Sequence, residues 1–313
     1  MNIIAALFGG QGSQYPGMGK SLCEISAQAR EVYECASDIL GFDMARVSFE
    51  GSAEELTRTA ICQPAIFTHS LAAIEASHGL LPTPNAVAGH SVGEYAALYC
   101  AGVFSMEDGF RLIGARAKVM ESAAQTAPGT MVAVSGDPDT IREVCAGHEQ
   151  VWAVNFNMPG QTVISGAVSA CLAAGQQLSE MGMRTTQLNV ASAFHTPMMQ
   201  PAADALREMI SGIRYYEPSC DFYSNLTGGL LESPESWADY FADHMVSPVR
   251  FVEQIAAMSG AGIDTCIEFG PGKTASTLAK KNNRAFATMT IENAETLEKT
   301  TSTILAASSK VAR

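Results

Sequence analysis

The segment with the clearest chemical meaning is Gly89-His90-Ser91-Val92-Gly93, which fits the pattern G-x-S-x-G. It lies between a predicted strand and a predicted helix, and in that context the pattern forms a tight turn that exposes a nucleophilic serine. The Val92 amide would then lie at a helix N-terminus and point toward a developing oxyanion. The alternative is a glycine-rich turn in which Ser91 only caps the helix, because serine is a good N-cap. We expect Ser91 to be a nucleophile rather than only a cap.

A serine nucleophile needs a base, and the sequence offers six histidines. His195 is the strongest candidate, because Thr196 and Pro197 suit the first positions of a helix and a helix N-terminus keeps imidazole neutral. The alternative is an exposed loop histidine. We expect His90 to point away from Ser91. The histidines of predicted helices are expected in surface or core roles: His69, His78 and His148. The spacing of the acidic residues in the sequence does not identify an acidic partner for His195.

A glycine-rich loop, Gly9-Gly10-Gln11-Gly12-Ser13-Gln14, follows the first predicted strand. Its backbone amides can approach a ligand closely and could supply a second oxyanion donor. The loop is not a dinucleotide fingerprint, because Tyr15 replaces the required third glycine. The segment Gly270-Pro271-Gly272-Lys273-Thr274 imitates the end of a P-loop, but Ile267 occupies the place of its first glycine. We therefore exclude nucleotide hydrolysis.

Arg116 lies in the middle of the apolar stripe of a predicted helix over 105–125. A buried charge is costly unless it is paired. One interpretation is a buried acidic partner elsewhere in the chain. The other is a guanidinium that binds a carboxylate of the substrate, for which arginine is well shaped.

Strands alternate with helices around these residues, which indicates an α/β fold with a mostly parallel sheet. Residues 130–191 follow the order βαββαβ, which is ferredoxin-like. The sequence predicts an α/β-hydrolase-like large subdomain, 1–129 and 192–313, with the small ferredoxin-like subdomain inserted at 130–191 and the active site between them. Predicted strands are 2–8, 85–89, 131–134, 151–155, 161–165, 184–190, 221–225, 263–269 and 285–289. Predicted helices are 24–40, 60–79, 92–101, 105–125, 138–148, 168–181, 197–212, 234–245, 248–259, 272–281 and one from 294.

The composition excludes several classes of protein. The chain has 313 residues, of which 47% are hydrophobic and 16% charged, so it is not disordered. A net charge of −13 opposes broad binding to nucleic acid or to an anionic membrane. The eight cysteines include no C-x-x-C pair, which favours reduced thiols in a cytoplasmic protein. No segment has the length of a signal peptide core or a membrane span.

These motifs together resemble the malonyl-CoA:acyl carrier protein transacylases, an acyltransferase family of fatty-acid and polyketide synthesis. The resemblance runs in order from the first predicted strand to about residue 280. It rests on Gly10-Gln11-Gly12-Ser13-Gln14, Gly89-His90-Ser91-Val92-Gly93-Glu94, Arg116, Asn155-x-Asn157-x-Pro159-Gly160-Gln161, Ala193-Phe194-His195 and Glu268-x-Gly270-Pro271-Gly272.

The resemblance implies a role for each candidate residue. Ser91 would carry the malonyl group as an ester, with His195 as the general base. The backbone amides of Gln11 and Val92 would form the oxyanion hole. Arg116 would bind the free carboxylate of the malonyl group. The resemblance implies neither a metal nor a redox cofactor, and malonyl-CoA would be a substrate.

Two finer features also follow from the resemblance. A backbone carbonyl, rather than an acid, would orient the histidine, and the matching loop is Ser247-Pro248-Val249-Arg250, in which we assign this role to Arg250. Phe194 and Val92 resemble the malonyl type, because Phe194 would fill the space that an α-methyl group needs. We therefore expect malonyl-CoA to be preferred over methylmalonyl-CoA.

The implied acceptor is the phosphopantetheine thiol of an acyl carrier protein, and carrier proteins of this type are acidic. An acidic enzyme repels such a partner at long range. The segment 273–284 contains four basic residues and no acid, and we expect it to contribute to docking: Lys273, Lys280, Lys281 and Arg284. The alternative is an ordinary basic bias at a helix C-terminus.

The expected function is ping-pong transfer of malonyl to the carrier, for fatty-acid biosynthesis. A stand-alone acyltransferase or acyl hydrolase that serves a polyketide synthase is the alternative, and the intact Arg116 and Phe194 favour transfer. A catalytically silent docking subunit is a third interpretation, against which the intact Ser91 and His195 argue.

Overall fold

The computed structural model describes residues 3–311. Two sheets organise them, one with six strands and mostly parallel, the other with four antiparallel strands. This arrangement confirms the predicted mixed α/β fold with a second, smaller sheet. The terminal residues of the predicted large subdomain lie outside the described residues, among them Asn2 of the first predicted strand.

The described residues form ten strands and fourteen α-helices. The strands are β1 (Ile4–Phe8), β2 (Ala86–Gly89), β3 (Gly129–Ser135), β4 (Val151–Met158), β5 (Gln161–Ala167), β6 (Arg184–Gln187), β7 (Asp221–Ser224), β8 (Gly229–Leu230), β9 (Thr265–Phe269) and β10 (Ala287–Ile291). The helices are α1 (Lys20–Ile25), α2 (Ala27–Leu40), α3 (Met44–Glu50), α4 (Ala53–Thr57), α5 (Thr59–Ser77), α6 (Gly93–Cys100), α7 (Met106–Thr126), α8 (Pro138–Ala146), α9 (Val168–Glu180), α10 (Gln200–Met209), α11 (Trp237–Val246), α12 (Phe251–Gly260), α13 (Thr274–Asn282) and α14 (Ala294–Val311).

The large sheet has the order β10-β9-β1-β2-β7-β8, and only the edge strand β8 is antiparallel to its neighbour. Strands β1, β2 and β9 are buried along their whole length, as expected of parallel strands that are covered on both faces. β1 and β2 are parallel neighbours, with Phe8 opposite Gly89. The loops that follow these two strands therefore meet at one edge of the sheet, where ligands bind in such folds.

The predicted helix over 24–40 is wrong in its first part. The chain forms two helices, because Ser26 adopts an extended conformation and its hydroxyl accepts a hydrogen bond from the Ala29 amide. Ser26 therefore caps α2 and ends α1. The short helices α3 and α4 are absent from the predicted elements, and each begins with a similar side-chain cap, from Asp43 and Ser52 respectively.

The small sheet has the order β4-β5-β3-β6. One face packs against α8 and α9 through a separate core that includes Val134, Ile141 and Leu178. The other face contributes Met131 and Val163 to the main core. Pro128 forms a bridge with Ser192, so the two connections to the rest of the chain lie side by side. The boundaries at 130 and 191 remain a prediction.

Among residues 3–311, no helix combines the length and the apolar character needed to cross a bilayer. The eight cysteines are all free thiols.

Candidate active site

Ser91 lies in the sharp turn between β2 and α6, as the motif predicts. Its backbone is left-handed, with φ of 53°, a conformation that costs a non-glycine residue roughly 1–3 kcal/mol. The turn leaves no room for a side chain at position 89, because a Cβ on Gly89 would lie 2.2 Å from the Glu94 amide nitrogen. The sequence therefore places the Ser91 hydroxyl beyond the carboxyl end of β2.

The structure brings together the predicted nucleophile and base. Ser91 Oγ lies 2.7 Å from His195 Nε2, although the residues are 104 positions apart. His195 precedes a short 3₁₀ turn, Pro197–Met199, whose N-cap is Thr196 as predicted. The hydroxyl and the imidazole can therefore exchange a proton directly.

Backbone carbonyls orient the imidazole of His195. His195 Nδ1 lies 3.0 Å from the Ser247 carbonyl oxygen and 3.2 Å from that of His244. A carbonyl only accepts hydrogen bonds, so Nδ1 carries the proton and Nε2 is left as the acceptor. The assignment of this role to Arg250 is wrong. The Arg250 carbonyl instead accepts from the Gln254 amide at the start of α12.

Burial lowers the pKa of His195 from 6.5 to about 3, and the positive charge of Arg116 adds to the effect. Only 4% of His195 is exposed. The imidazole is therefore neutral at physiological pH, as a general base must be before it receives a proton.

The two predicted oxyanion donors border the same cavity as Ser91. Neither the Gln11 amide nor the Val92 amide donates a hydrogen bond to any residue that the structure describes. The glycine loop approaches the elbow closely, because a Cβ on Gly10 would lie 2.7 Å from the His90 carbonyl oxygen. Both amides therefore keep their hydrogen-bonding capacity beside this cavity, which is the condition for an oxyanion donor.

Arg116 is 1% exposed and lines this cavity. Its Nη1 donates to Gln63 Oε1 at 2.5 Å, and the guanidinium carbon lies 5.1 Å from the centre of the Tyr95 ring. Within the described side chains, Arg116 forms no salt bridge and its Nε has no hydrogen-bond partner. The buried Glu94 carboxyl influences the pKa of Arg116 but forms no salt bridge with it, so the guanidinium keeps free bonding capacity at the cavity.

The cavity has a volume of about 100 Å³. Phe194, which is 6% exposed, forms part of its wall. His90 also borders the cavity, while its ring packs against Phe251 with the ring centres 5.4 Å apart and its Nε2 lies 2.7 Å from Asn157 Oδ1. The left-handed Ser91 interrupts the alternation of side chains that a continuing strand would impose.

A buried polar network behind the elbow is absent from the sequence-based predictions. Glu94 accepts hydrogen bonds from the Asn225 amide and from the Tyr240 hydroxyl, and its Oε2 lies 3.2 Å from His244 Nε2. Burial raises the pKa of Glu94 to about 8 and lowers that of His244 well below 6.5. The contact between these two side chains therefore joins mainly neutral groups near pH 7. One sequence signal could have pointed to this network. Asn225 is a polar residue directly after β7, and β7 pairs with β2, the strand that leads to Ser91.

Three of the four basic residues of the predicted docking segment border a second cavity of about 410 Å³, between α13, β10 and α14. These residues are Lys273, Lys280 and Lys281, and Lys299 joins them. None of the described residues that line this cavity is acidic. Arg284 is exposed and does not belong to the lining.

Comparison with known proteins assigns the family. Residues 6–301 match the family model described as acyl transferase domain. The malonyl CoA-acyl carrier protein transacylase of Bacillus subtilis (strain 168) is 36% identical over 304 residues, which cover 95% of this chain and 96% of that protein. The crystal structure of the transacylase of the same name from Clostridium perfringens has a TM-score of 0.94 at 34% identity and covers 99% of each chain.

A further similar structure is a malonyl-transacylase in complex with its type II PKS acyl-carrier protein, with a TM-score of 0.91 at 31% identity over 96% of this chain and 99% of that one. The family match extends over nearly the whole described chain and includes the elbow, the base and the buried arginine. The chain therefore belongs to the acyl transferase family, among the malonyl-CoA:acyl carrier protein transacylases, and is an acyltransferase.

Proposed function

We propose that this enzyme transfers the malonyl group of malonyl-CoA to the phosphopantetheine thiol of an acyl carrier protein, through a malonyl ester on Ser91. The observation that carries the proposal is the 2.7 Å contact between Ser91 Oγ and His195 Nε2, at a cavity that Arg116 also lines with an Nε that has no partner among the described residues. A nucleophile, its base and a carboxylate-binding cation are the three groups that a malonyl transfer requires.

In the first half-reaction, Ser91 Oγ attacks the thioester carbonyl while His195 Nε2 accepts its proton. The carbonyl oxygen becomes an oxyanion, which the free amides of Gln11 and Val92 stabilise. When the tetrahedral intermediate collapses, the carbon–sulfur bond breaks. The proton on His195 passes to the departing thiolate, so free CoA leaves and the malonyl group remains on Ser91.

In the second half-reaction the same groups act in reverse. His195 Nε2 takes the proton of the phosphopantetheine thiol, and the sulfur attacks the ester carbonyl. The bond between the carbonyl carbon and Ser91 Oγ breaks, and His195 returns the proton to the serine. The steps use side chains and amides of the chain itself, and the mechanism is ping-pong because CoA leaves before the carrier reacts.

Arg116 supplies the selectivity for a dicarboxylic acyl group in this proposal. A guanidinium can bind a carboxylate through two parallel hydrogen bonds, and such charge-assisted bonds are about twice as strong as neutral ones. The unpartnered Nε supports this role, because a buried donor without a partner is otherwise costly. Phe194 narrows the same cavity, which supports a preference for malonyl over methylmalonyl.

The carrier is the proposed partner, and the lysine-lined cavity supports its docking at α13. Lys273, Lys280 and Lys281 are exposed around this cavity in a chain whose net charge is −13. A local basic surface of this kind attracts an acidic protein at short range despite the repulsion between the net charges. We retain the exposed Arg284 as a fourth contributor at the end of the segment.

Fatty-acid biosynthesis is the proposed pathway. A role in polyketide synthesis, as acyltransferase or as acyl hydrolase, is the second candidate. It is favoured by one observation, the similarity to a malonyl-transacylase in complex with a type II PKS acyl-carrier protein. Arg116 argues against a general acyl hydrolase, because it favours retention of one dicarboxylic acyl group.

The test is to mix the enzyme with malonyl-CoA labelled in the acyl group and with holo carrier protein, and to follow the label. Transfer predicts that the label moves to the carrier with one CoA released per malonyl group. Accumulation of free malonate instead identifies a hydrolase, and label that stays in malonyl-CoA contradicts both activities. Fatty-acid and polyketide carriers compared at equal concentration then distinguish the two pathways by kcat/KM.

A further inference from the structure

Asn225 connects the nucleophile to the loop that orients the base. It follows β7 directly and is completely buried, with 0% of its surface exposed. Its side-chain oxygen accepts a hydrogen bond from the Ser91 amide at 2.7 Å. Its side-chain nitrogen donates to the Gly89 carbonyl oxygen at 2.7 Å. One side chain therefore holds the backbone on both sides of the turn that contains the nucleophile.

The elbow needs such a support because its conformation is unfavourable on its own. Ser91 has φ of 53°, and this left-handed conformation persists only where surrounding contacts stabilise it. The Ser91 amide faces Asn225 rather than a partner in the sheet. An amide side chain is suited to the position, since it offers an acceptor to an N–H and a donor to a carbonyl at once.

The backbone of Asn225 extends the connection in two directions. Its N–H donates to the buried carboxyl group of Glu94, on the first turn of α6. Its carbonyl oxygen accepts from the Arg250 amide at 3.1 Å. Arg250 ends the loop whose Ser247 carbonyl lies 3.0 Å from His195 Nδ1. The loop that orients the base is thus fixed to the residue that fixes the nucleophile.

We propose that Asn225 is a positioning residue that sets the distance and angle between Ser91 Oγ and His195 Nε2. This proposal rests on the proposed function, because it concerns the rate at which Ser91 is acylated. Asn225 does not line the cavity that contains Ser91. Its loss should therefore slow the chemical step and change the KM for malonyl-CoA little.

The experiment measures formation of the malonyl-enzyme in a single turnover, by rapid quench and intact mass, for wild type and Asn225→Ala. A misplaced nucleophile predicts a rate constant lower by roughly tenfold to a hundredfold, at an unchanged final amount of malonyl-enzyme. A residue that only helps folding would instead lower the final amount of ester and leave the rate constant of the active fraction unchanged. That second result would overturn the proposal, as would a rate constant equal to that of the wild type.

Asn283→Ala is a matched control. Its side chain also makes two hydrogen bonds, to Ser259 Oγ and from the Ala285 amide, but it contacts none of the site residues. We expect its rate constant to equal that of the wild type. If Asn225→Ala does not fold, Asn225→Asp, which keeps the size of the side chain but loses the donor to Gly89, takes its place under the same criteria. A wild-type enzyme that forms no ester would contradict the proposed function instead.

Discussion

Replacement of Arg116 should separate malonyl transfer from acetyl transfer. Arg116 is buried, lacks a salt bridge to any described carboxylate and has an unpartnered Nε. The malonyl carboxylate would complete a buried ion pair, and removal of one member of such a pair costs about 3–5 kcal/mol. At about 1.4 kcal/mol per factor of ten, kcat/KM for malonyl-CoA should fall by about two to three and a half orders of magnitude.

The assay compares kcat/KM for malonyl-CoA and acetyl-CoA in wild type, Arg116→Ala and Arg116→Met. Acetyl-CoA lacks the carboxylate, so its kcat/KM should hold steady or rise when a buried unpaired charge is removed. Arg116→Met preserves the side-chain volume and thereby separates the loss of charge from the creation of a cavity.

Arg111→Ala is the control, because Arg111 lies on the same helix but is exposed and already paired with Asp108 at 2.7 Å. Arg111→Ala should leave the ratio of kcat/KM for malonyl-CoA to kcat/KM for acetyl-CoA unchanged. The reasoning is refuted if the Arg116 variants lose both activities in equal proportion, because Arg116 would then act on the shared chemistry or on folding and not on the carboxylate.

Three further predictions concern the base, the cavity wall and the carrier. Burial holds the pKa of His195 at about 3, and only the deprotonated form accepts a proton, so kcat/KM for malonyl-CoA should be flat between about pH 5 and pH 7. A loss of activity on acidification with a midpoint near 6.5 would contradict this. Phe194→Ala should raise the ratio of methylmalonyl-CoA to malonyl-CoA turnover, and comparable specificity constants in the wild type would exclude the proposed selectivity. Charge reversal at Lys280 and Lys281 should raise KM for the carrier but not for malonyl-CoA. The control variant Lys118→Glu, on the exposed face of α7, should change neither KM. Equal effects of the two variants on the carrier KM would contradict the docking proposal.

Short-range sequence patterns predicted those parts of the site whose local geometry is determined within one segment of the chain. The elbow is such a case, because Gly89 and Gly93 impose the turn that exposes Ser91. Arg116 could be identified because a charge in the middle of an apolar stripe contradicts the pattern of its own helix. The βαββαβ order was visible for the same reason, since each of its elements follows its own periodicity.

Contacts that depend on distant backbone were not predictable in this way. Every residue has a carbonyl, so no side-chain pattern distinguishes Ser247 from Arg250 as the partner of His195. Asn225 lies 134 positions from Ser91 and becomes its neighbour only because β7 pairs with β2. The break at Ser26 was missed because a serine inside an amphipathic segment suits an exposed helical position as well as a cap.

The most direct test of the central claim is intact mass spectrometry of the enzyme after it is mixed with malonyl-CoA, with peptide mapping of the product. The proposed mechanism predicts that the wild type gains the mass of one malonyl group on Ser91, that Ser91→Ala gains none, and that added holo carrier removes the group as malonyl-carrier. An adduct on any other residue, or an adduct that persists in Ser91→Ala, would contradict the assignment of Ser91 as the nucleophile.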